Sequence, residues 1–103
     1  MMDTGENNAA TRGQIEGASI LRFAPHAKFR FDEVRQAWIV LAPERLLLPD
    51  KQAVEILNLI DGERDVETMI DELARRYEAP REVVAADVLA MLQDLADKKV
   101  LRQ

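Results

Sequence analysis

The sequence predicts an α+β domain in which a three-stranded antiparallel sheet is followed by three helices. Two observations support this fold class. In residues 28–48, large apolar residues stand at alternate positions of short runs, which is typical of strands with one buried face. After Leu48, apolar residues recur at spacings of three and four, which is the period of a helix that buries one side.

The first two strands are defined by aromatic and β-branched residues at alternate positions. Phe29 and Phe31 alternate in the first strand, and Trp38 and Val40 alternate in the second. Residues 32–35 lie between them, and their charged side chains are suited to a solvent-exposed reversal. We therefore expect a hairpin here, with Trp38 anchoring the sheet.

The third strand is short and ends the sheet. Residues 42–44 form the preceding reversal, where Pro43 fixes φ and removes a donor for strand pairing. The apolar run of residues 45–48 then stops at Pro49. Such a strand has an unpaired edge unless another segment covers it.

Three helices follow, each marked by a start or stop signal. Pro49 suits the first turn of the first helix, which is expected to end at Asp61-Gly62. Asp65 can cap the second helix, and Ala79-Pro80 opens the third. The apolar positions are Ala53, Ile56, Leu57 and Ile60 in the first helix, Val66, Met69, Ile70, Leu73 and Tyr77 in the second, and Val83, Val84, Val88, Leu89, Met91, Leu92 and Leu95 in the third. Val100-Leu101 is expected to return as a short strand or to pack under the third helix.

The N-terminal residues differ from the rest in composition. Residues 1–19 contain one large aliphatic residue, Ile15, and have no apolar period. We expect a disordered tail over residues 1–19 that does not join the core, and a single domain over residues 20–103.

Charge and composition argue against several classes of function. The chain has 14 basic and 19 acidic residues, a balance that disfavours nucleic acid as a partner. Cysteine is absent, which excludes disulfides and thiolate chemistry. The sequence has no signal peptide and no apolar run long enough to span a membrane, so we expect a cytoplasmic protein with no membrane contact.

No group of side chains indicates catalysis or metal binding. His26 is the only histidine, and it has neither a partner nor a suitable position. The acidic pairs Asp71-Glu72 and Asp94 with Asp97 lie on polar helix faces, where solvated charge is the usual role. We therefore expect no catalytic residue, no metal site and no cofactor.

The third helix has more apolar surface than one neighbour would cover. Val84, Val88, Met91 and Leu95 form one stripe, and Ala85, Leu89, Leu92 and Ala96 form an adjacent one. Either both stripes belong to the core, or one of them lines a groove beside the unpaired strand. In the second case an extended peptide could add to the sheet as a new strand.

Several short motifs resemble those of a known family. Three strands followed by three helices resemble the winged-helix-like recognition domain of enzymes that modify ribosomally made peptides. Residues 31–38 (FDEVRQAW), residues 41–44 (LAPE) and residues 53–57 (AVEIL) with Asp61-Gly62 are similar to the PqqD family of pyrroloquinoline quinone (PQQ) biosynthesis. The resemblance covers residues 20–102. It departs from the family at Leu48-Pro49-Asp50, where relatives tend to have a leucine-asparagine step.

The resemblance implies a non-catalytic peptide chaperone. Members of this family bind the precursor peptide PqqA and present it to PqqE, a radical S-adenosylmethionine enzyme that joins a glutamate to a tyrosine. By that resemblance the peptide would lie along the third strand and against the third helix. The implied contacts are Arg45, Leu46, Leu47 and Leu48 on the strand and Val84, Val88, Met91, Leu92 and Leu95 on the helix.

Two other functions remain open from the sequence. A DNA-binding winged helix would offer residues 66–77 or 80–99 to the groove, supported by Arg75-Arg76 and by the C-terminal cations. A dimerisation module would pair the exposed strand or the apolar stripe with its own copy. As a peptide chaperone, the chain is expected to be a monomer or a weak homodimer.

Overall fold

The computed structural model describes residues 14–103 and has eight regular elements. The strands are β1 (Arg22–Phe23), β2 (Lys28–Asp32), β3 (Ala37–Ala42), β4 (Arg45–Leu47) and β5 (Leu101–Arg102). The helices are α1 (Lys51–Asn58), α2 (Val66–Tyr77) and α3 (Arg81–Asp97). This order confirms the predicted α+β class, with a three-stranded antiparallel sheet before three helices.

The main sheet has the strand order β2-β3-β4, and all of its pairs are antiparallel. In the first reversal, Asp32 accepts a hydrogen bond from the Val34 backbone N–H at 3.1 Å and forms an ion pair with Arg35 at 2.6 Å. The bond from the Arg35 guanidinium holds the pKa of the Asp32 carboxyl below its usual value, despite partial desolvation. The second reversal has two residues, Pro43 and Glu44, because Ala42 pairs with Arg45.

The backbone of the second reversal explains its proline. Glu44 has φ of 66°, in the left-handed region that favours glycine. Proline followed by a residue with positive φ is the signature of a type II turn. Pro43 therefore stabilises a tight connection that places β4 directly beside β3.

Four aromatic rings reinforce the first hairpin. The Trp38 ring stacks on Phe29 with centroids 4.9 Å apart and meets the edge of Phe31 at 5.8 Å. Phe29 in turn stacks on Phe23 of β1 at 5.7 Å. Trp38 thus connects the strands through ring contacts while it is only half-buried.

The C-terminal segment pairs with a strand that the periodicity does not reveal. β5 pairs antiparallel with β1, with Phe23 opposite Leu101. Val100 and Leu101 are 0% and 3% exposed, so their burial fixes the chain end under α3. Of the two options for Val100-Leu101, the return as a short strand is the correct one.

Side-chain caps mark the starts of α1 and α2, while α1 ends at Asn58, before the expected stop at Asp61-Gly62. Asp50 accepts a hydrogen bond from the Ala53 backbone N–H at 2.8 Å, and Asp65 accepts one from Thr68 at 2.9 Å. Asp65 is the predicted cap of α2. The expectation that Pro49 occupies the first turn of α1 is wrong, because Asp50 is the cap and Pro49 precedes it.

Ion pairs connect the first residue of α3 to side chains of α2. The Arg81 guanidinium contacts Asp71 at 2.5 Å and Glu67 at 2.9 Å. Pro80, at the N-cap, makes no side-chain cap bond. The two ion pairs are exposed and so add little stability to this junction.

The core includes residues N-terminal to the predicted boundary. Ile15 is 6% exposed and belongs to the core cluster, and its backbone N–H donates to Gln93 Oε1 at 2.9 Å. The carbonyls of Gly17 and Ser19 accept from the first N–H groups of α2, at 2.8 and 2.9 Å. The expectation that the chain stays outside the core up to residue 19 is therefore wrong for residues 15–19. Residues 1–13 of the predicted tail lie outside the described residues.

Candidate functional site

A groove opens between β4 and α3, where the sequence places the unpaired strand beside the long helix. It is lined by Val40, Leu47, Leu48, Pro49, Ala53, Leu57, Met91, Asp94 and Leu95. Eight of these nine side chains are apolar, and Asp94 is the one charged residue in the lining. The groove is therefore suited to apolar side chains rather than to a charged ligand.

The short third strand creates this groove. β4 ends at Leu47, and Pro49 and the Asp50 cap then turn the chain directly into α1. This corner leaves Leu48 64% exposed above the first helix. The floor is formed by Ala53 and Leu57, one helical turn apart on α1.

The structure brings together only part of the predicted site. Leu47 and Leu48 from the strand side, and Met91 and Leu95 from the helix side, meet in the groove. Arg45 and Leu46 belong to β4 but do not line the groove.

The other three predicted residues lie elsewhere. Leu92 is 0% exposed and belongs to the core. Val84 and Val88 are also buried, and they line a separate cleft between the helices, together with Gln52, Ile56, Leu73, Tyr77, Ala79, Val83 and Asp87. The buried positions of α3, which are 84, 88, 92 and 95, thus come from both predicted stripes, while Met91 lines the groove.

Sequence reasoning missed the contributions of Val40, Pro49, Ala53, Leu57 and Asp94 to the groove. Ala53 and Leu57 were identified as apolar positions of the first helix, four residues apart. That spacing identifies a face of the helix, but it does not show that β4 lies over it. Asp94 was assigned to a polar face. It lines the groove with an exposed carboxylate that forms an ion pair with Lys98 at 2.7 Å.

The free edge of β4 presents unpaired backbone groups at a defined position. Ala42 and Arg45 flank a two-residue turn, so they form a hydrogen-bonded pair of the antiparallel ladder. Because such pairs alternate with non-hydrogen-bonded ones, Val40 with Leu47 is bonded and Leu41 with Leu46 is not. The N–H and C=O of Leu46 therefore point away from β3, towards the open edge.

The two edges of the sheet differ in character. The edge strand β2 carries charged residues at Lys28, Arg30 and Asp32, which discourage pairing with another strand. β4 carries one charged residue, Arg45, followed by leucines. Its edge lacks the charges that natural sheets use to prevent strand addition.

Comparisons with known proteins agree with this architecture. The family model described as coenzyme PQQ synthesis protein D (PqqD) matches residues 37–101. This chain belongs to the PqqD family. Among its relatives, a PqqA binding protein of Rhodopseudomonas palustris (strain HaA2) is 62% identical over 78 residues, which cover 76% of each chain.

Two further PqqD relatives extend the comparison. The bifunctional coenzyme PQQ synthesis protein C/D of Methylorubrum extorquens is 39% identical over 89 residues, covering 86% of this chain and 24% of that protein. A solution structure of the PqqD truncation of Methylobacterium extorquens PqqCD, described as a functional and stand-alone recognition element for ribosomally synthesised and modified peptides, superposes with a TM-score of 0.74. It is 37% identical, covering 89% of this chain and 98% of the other.

The cations that would support a DNA-binding role are largely paired in this PqqD chain. Arg75 forms an ion pair with Glu72, and Arg76 contacts the same carboxylate at 2.9 Å. Lys98 pairs with Asp94. These ion pairs reduce the positive charge that the helices could direct towards a phosphate backbone.

The two side chains of this chain that could in principle act in catalysis, those of His26 and Tyr77, lie within hydrogen-bonding distance of other residues. His26 Nε2 lies 3.2 Å from the carbonyl of Lys99, at the surface. The Tyr77 hydroxyl donates to Glu55, and this bond raises the pKa of the Tyr77 phenol. Residues 14–103 contain no cluster of three histidine, cysteine or acidic residues that could hold a metal ion. Within the same range, no helix is both long and apolar enough to cross a membrane.

Proposed function

We propose that this chain is a non-catalytic peptide chaperone of PQQ biosynthesis. It binds the precursor peptide PqqA as an additional strand on β4 and presents it to the radical S-adenosylmethionine enzyme PqqE. The observation that carries this proposal is the combination of a leucine-rich open strand edge with an apolar groove beside it. Curated relatives described as PqqA binding proteins support the choice of peptide.

The register of β4 determines how a peptide would be held. A peptide residue that hydrogen-bonds to Leu46 points its side chain to the same side of the sheet as Leu46. Its two neighbours then point to the opposite side, into the groove beside Leu47 and Met91. The groove therefore selects two apolar peptide residues separated by one residue of any type.

Apolar contacts contribute more to selectivity than the backbone does. A hydrogen bond to Leu46 has a net value of about 0.5–1.5 kcal/mol and is nearly independent of peptide sequence. Burial of one large apolar side chain contributes about 1.5–3 kcal/mol and depends on that side chain. Ordering the peptide opposes both, which keeps binding moderate and reversible. Reversible binding suits transfer of the peptide to an enzyme.

Aspartate substitutions in the groove test the proposal. Leu48→Asp and Met91→Asp place a charge where an apolar peptide residue would lie, and an unpaired charge is unfavourable there. The matched control is Val83→Asp, a 53% exposed position on α3 that lines the other cleft. We expect both groove variants to remain folded and to lose PqqA affinity at least about tenfold, since about 1.4 kcal/mol corresponds to that factor.

The control separates the groove from a general effect of added charge. Val83→Asp should bind PqqA like the unmodified chain and should support cross-linking by PqqE. Normal binding by both folded groove variants would show that the β4–α3 groove is not the recognition site. Dimerisation would then be the alternative role of the open edge, and analytical ultracentrifugation would detect it.

A further inference from the structure

The face of the main sheet that points away from the helices has a distinct composition. Side chains alternate between the two faces of a sheet, and Val40 and Leu47 face the helices. The register therefore places two cross-strand rows on the opposite side, Lys28 with Leu41 and Leu46, and Arg30 with Ile39. Ile39 is 1% exposed, so the part of this side that solvent reaches consists of Lys28, Arg30, Leu41 and Leu46. We call these four residues the outer face.

The outer face combines unpaired cations with apolar side chains. Lys28 and Arg30 are exposed, and neither forms an ion pair with any residue of the described part of the chain. The acidic neighbour on this side, Asp32, forms its ion pair with Arg35 at 2.6 Å, and Arg30 attracts it only at longer range. Leu46 is 39% exposed and Leu41 is half-buried between the cations and the strand edge.

The positive charge of the outer face is opposite in sign to the net charge of the whole chain. The net charge of the protein is −5, and several cations of the helices are neutralised by neighbouring carboxylates. The outer face is thus a local positive surface with an apolar strip. A surface of this kind complements a protein surface that is acidic around an apolar contact.

We propose that the outer face docks an acidic surface of the enzyme that modifies the bound peptide. This inference rests on the proposed function, because it assigns a place to the partner enzyme. β4 is shared by the groove and the outer face, so a peptide added to β4 would continue the sheet at the edge of the docking surface. Its outward side chains would lie beside Leu46, within reach of an enzyme seated there.

A double charge reversal tests the docking surface. Lys28→Glu/Arg30→Glu changes the outer face, and Arg22→Glu/Arg102→Glu is the matched control. The control residues are paired with each other in β1 and β5, are exposed, and form no ion pair with residues 14–103. Affinities for PqqE and for PqqA are measured separately, at low and moderate salt, since complementary charges weaken with ionic strength.

We expect the outer-face variant to lose PqqE affinity about tenfold or more, to lose its salt dependence, and to bind PqqA within about twofold of the unmodified chain. The control variant should retain both affinities. Lys28→Gln/Arg30→Gln provides the same comparison if the reversed variant fails to fold.

Other outcomes would overturn the inference. Unchanged PqqE affinity in the outer-face variant would place the enzyme elsewhere, while intact PqqA binding would leave the proposed function standing. Equal losses in both double variants would indicate attraction by overall charge. Self-association of the unmodified chain that disappears in the outer-face variant would assign this face to a second copy. If the unmodified chain bound neither PqqA nor PqqE, the proposed function would fail as well.

Discussion

The contrast between Leu92 and Met91 gives a prediction that separates folding from recognition. These neighbours on α3 have different surroundings, because Leu92 is 0% exposed in the core and Met91 lines the groove. Leu92→Ala removes three buried carbon groups, which at about 0.8 kcal/mol each amounts to roughly 2.4 kcal/mol of lost transfer free energy. The remaining cavity adds to this, so we expect a loss of about 3–4 kcal/mol in the free energy of unfolding.

Met91→Ala should weaken PqqA binding while it changes the free energy of unfolding only slightly. Its side chain is half-buried at an open groove, so little closed cavity results, and we expect a loss of about 1 kcal/mol. Urea unfolding followed by circular dichroism measures both changes, and titration with PqqA measures binding. Met91→Ala should bind PqqA more weakly, while Leu92→Ala should bind normally at temperatures where it remains folded. If Leu92→Ala unfolded at the same urea concentration as the unmodified chain, Leu92 would not contribute to the core as its burial indicates.

Three further predictions concern the reversals and the helix cleft. Because the folded-state pKa of Asp32 is lowered, its stabilising effect is present above about pH 4 and is lost as the pH falls through that lowered value. Asp32→Asn should therefore be less stable than the unmodified chain at pH 6, and this difference should shrink as the pH falls below about 4. A difference that stays constant down to acid unfolding would contradict this. The positive φ of Glu44 favours glycine, so Glu44→Gly should lower the free energy of unfolding by no more than about 0.5 kcal/mol. The control Glu33→Gly, at a position without positive φ, should be destabilising. Thermal unfolding measures both variants. Tyr77 is the only tyrosine, so its ionisation can be followed by ultraviolet absorbance, and Glu55→Gln should lower its raised pKa towards about 10. An unchanged Tyr77 titration in Glu55→Gln would exclude Glu55 as the cause.

The sequence predicted the parts of the fold that depend on local signals. Alternation around Phe29 and Trp38 identified the hairpin, and the reversal at Pro43 identified the turn before β4. The prediction of Asp65 as the cap of α2 was correct, because an acidic residue before an apolar period is a local signal. The edge strand and the adjacent helix followed from the same patterns. Four of the nine groove residues, Leu47, Leu48, Met91 and Leu95, were among the contacts that the family resemblance implied.

The errors arise from contacts between distant parts of the chain. Ile15 was placed in a tail because its neighbours are polar, yet it packs against the core near Gln93, 78 residues away. β1 has two residues and no period, and it exists because β5 returns to pair with it. On α3, periodicity identified the apolar positions but not their neighbours, so it could not distinguish the core residue Leu92 from the groove residue Met91.

The most direct test of strand addition is the backbone amide of Leu46. In the free protein its N–H points to the open edge and should exchange rapidly with solvent, while the amides of Arg45 and Leu47 are bonded to β3 and should be protected. Hydrogen exchange followed by nuclear magnetic resonance, with and without PqqA, resolves these three amides. We expect saturating PqqA to protect Leu46 and to leave Arg45 and Leu47 little changed. Bound PqqA that leaves Leu46 unprotected, with its largest amide shifts on Val66–Tyr77, would contradict this expectation.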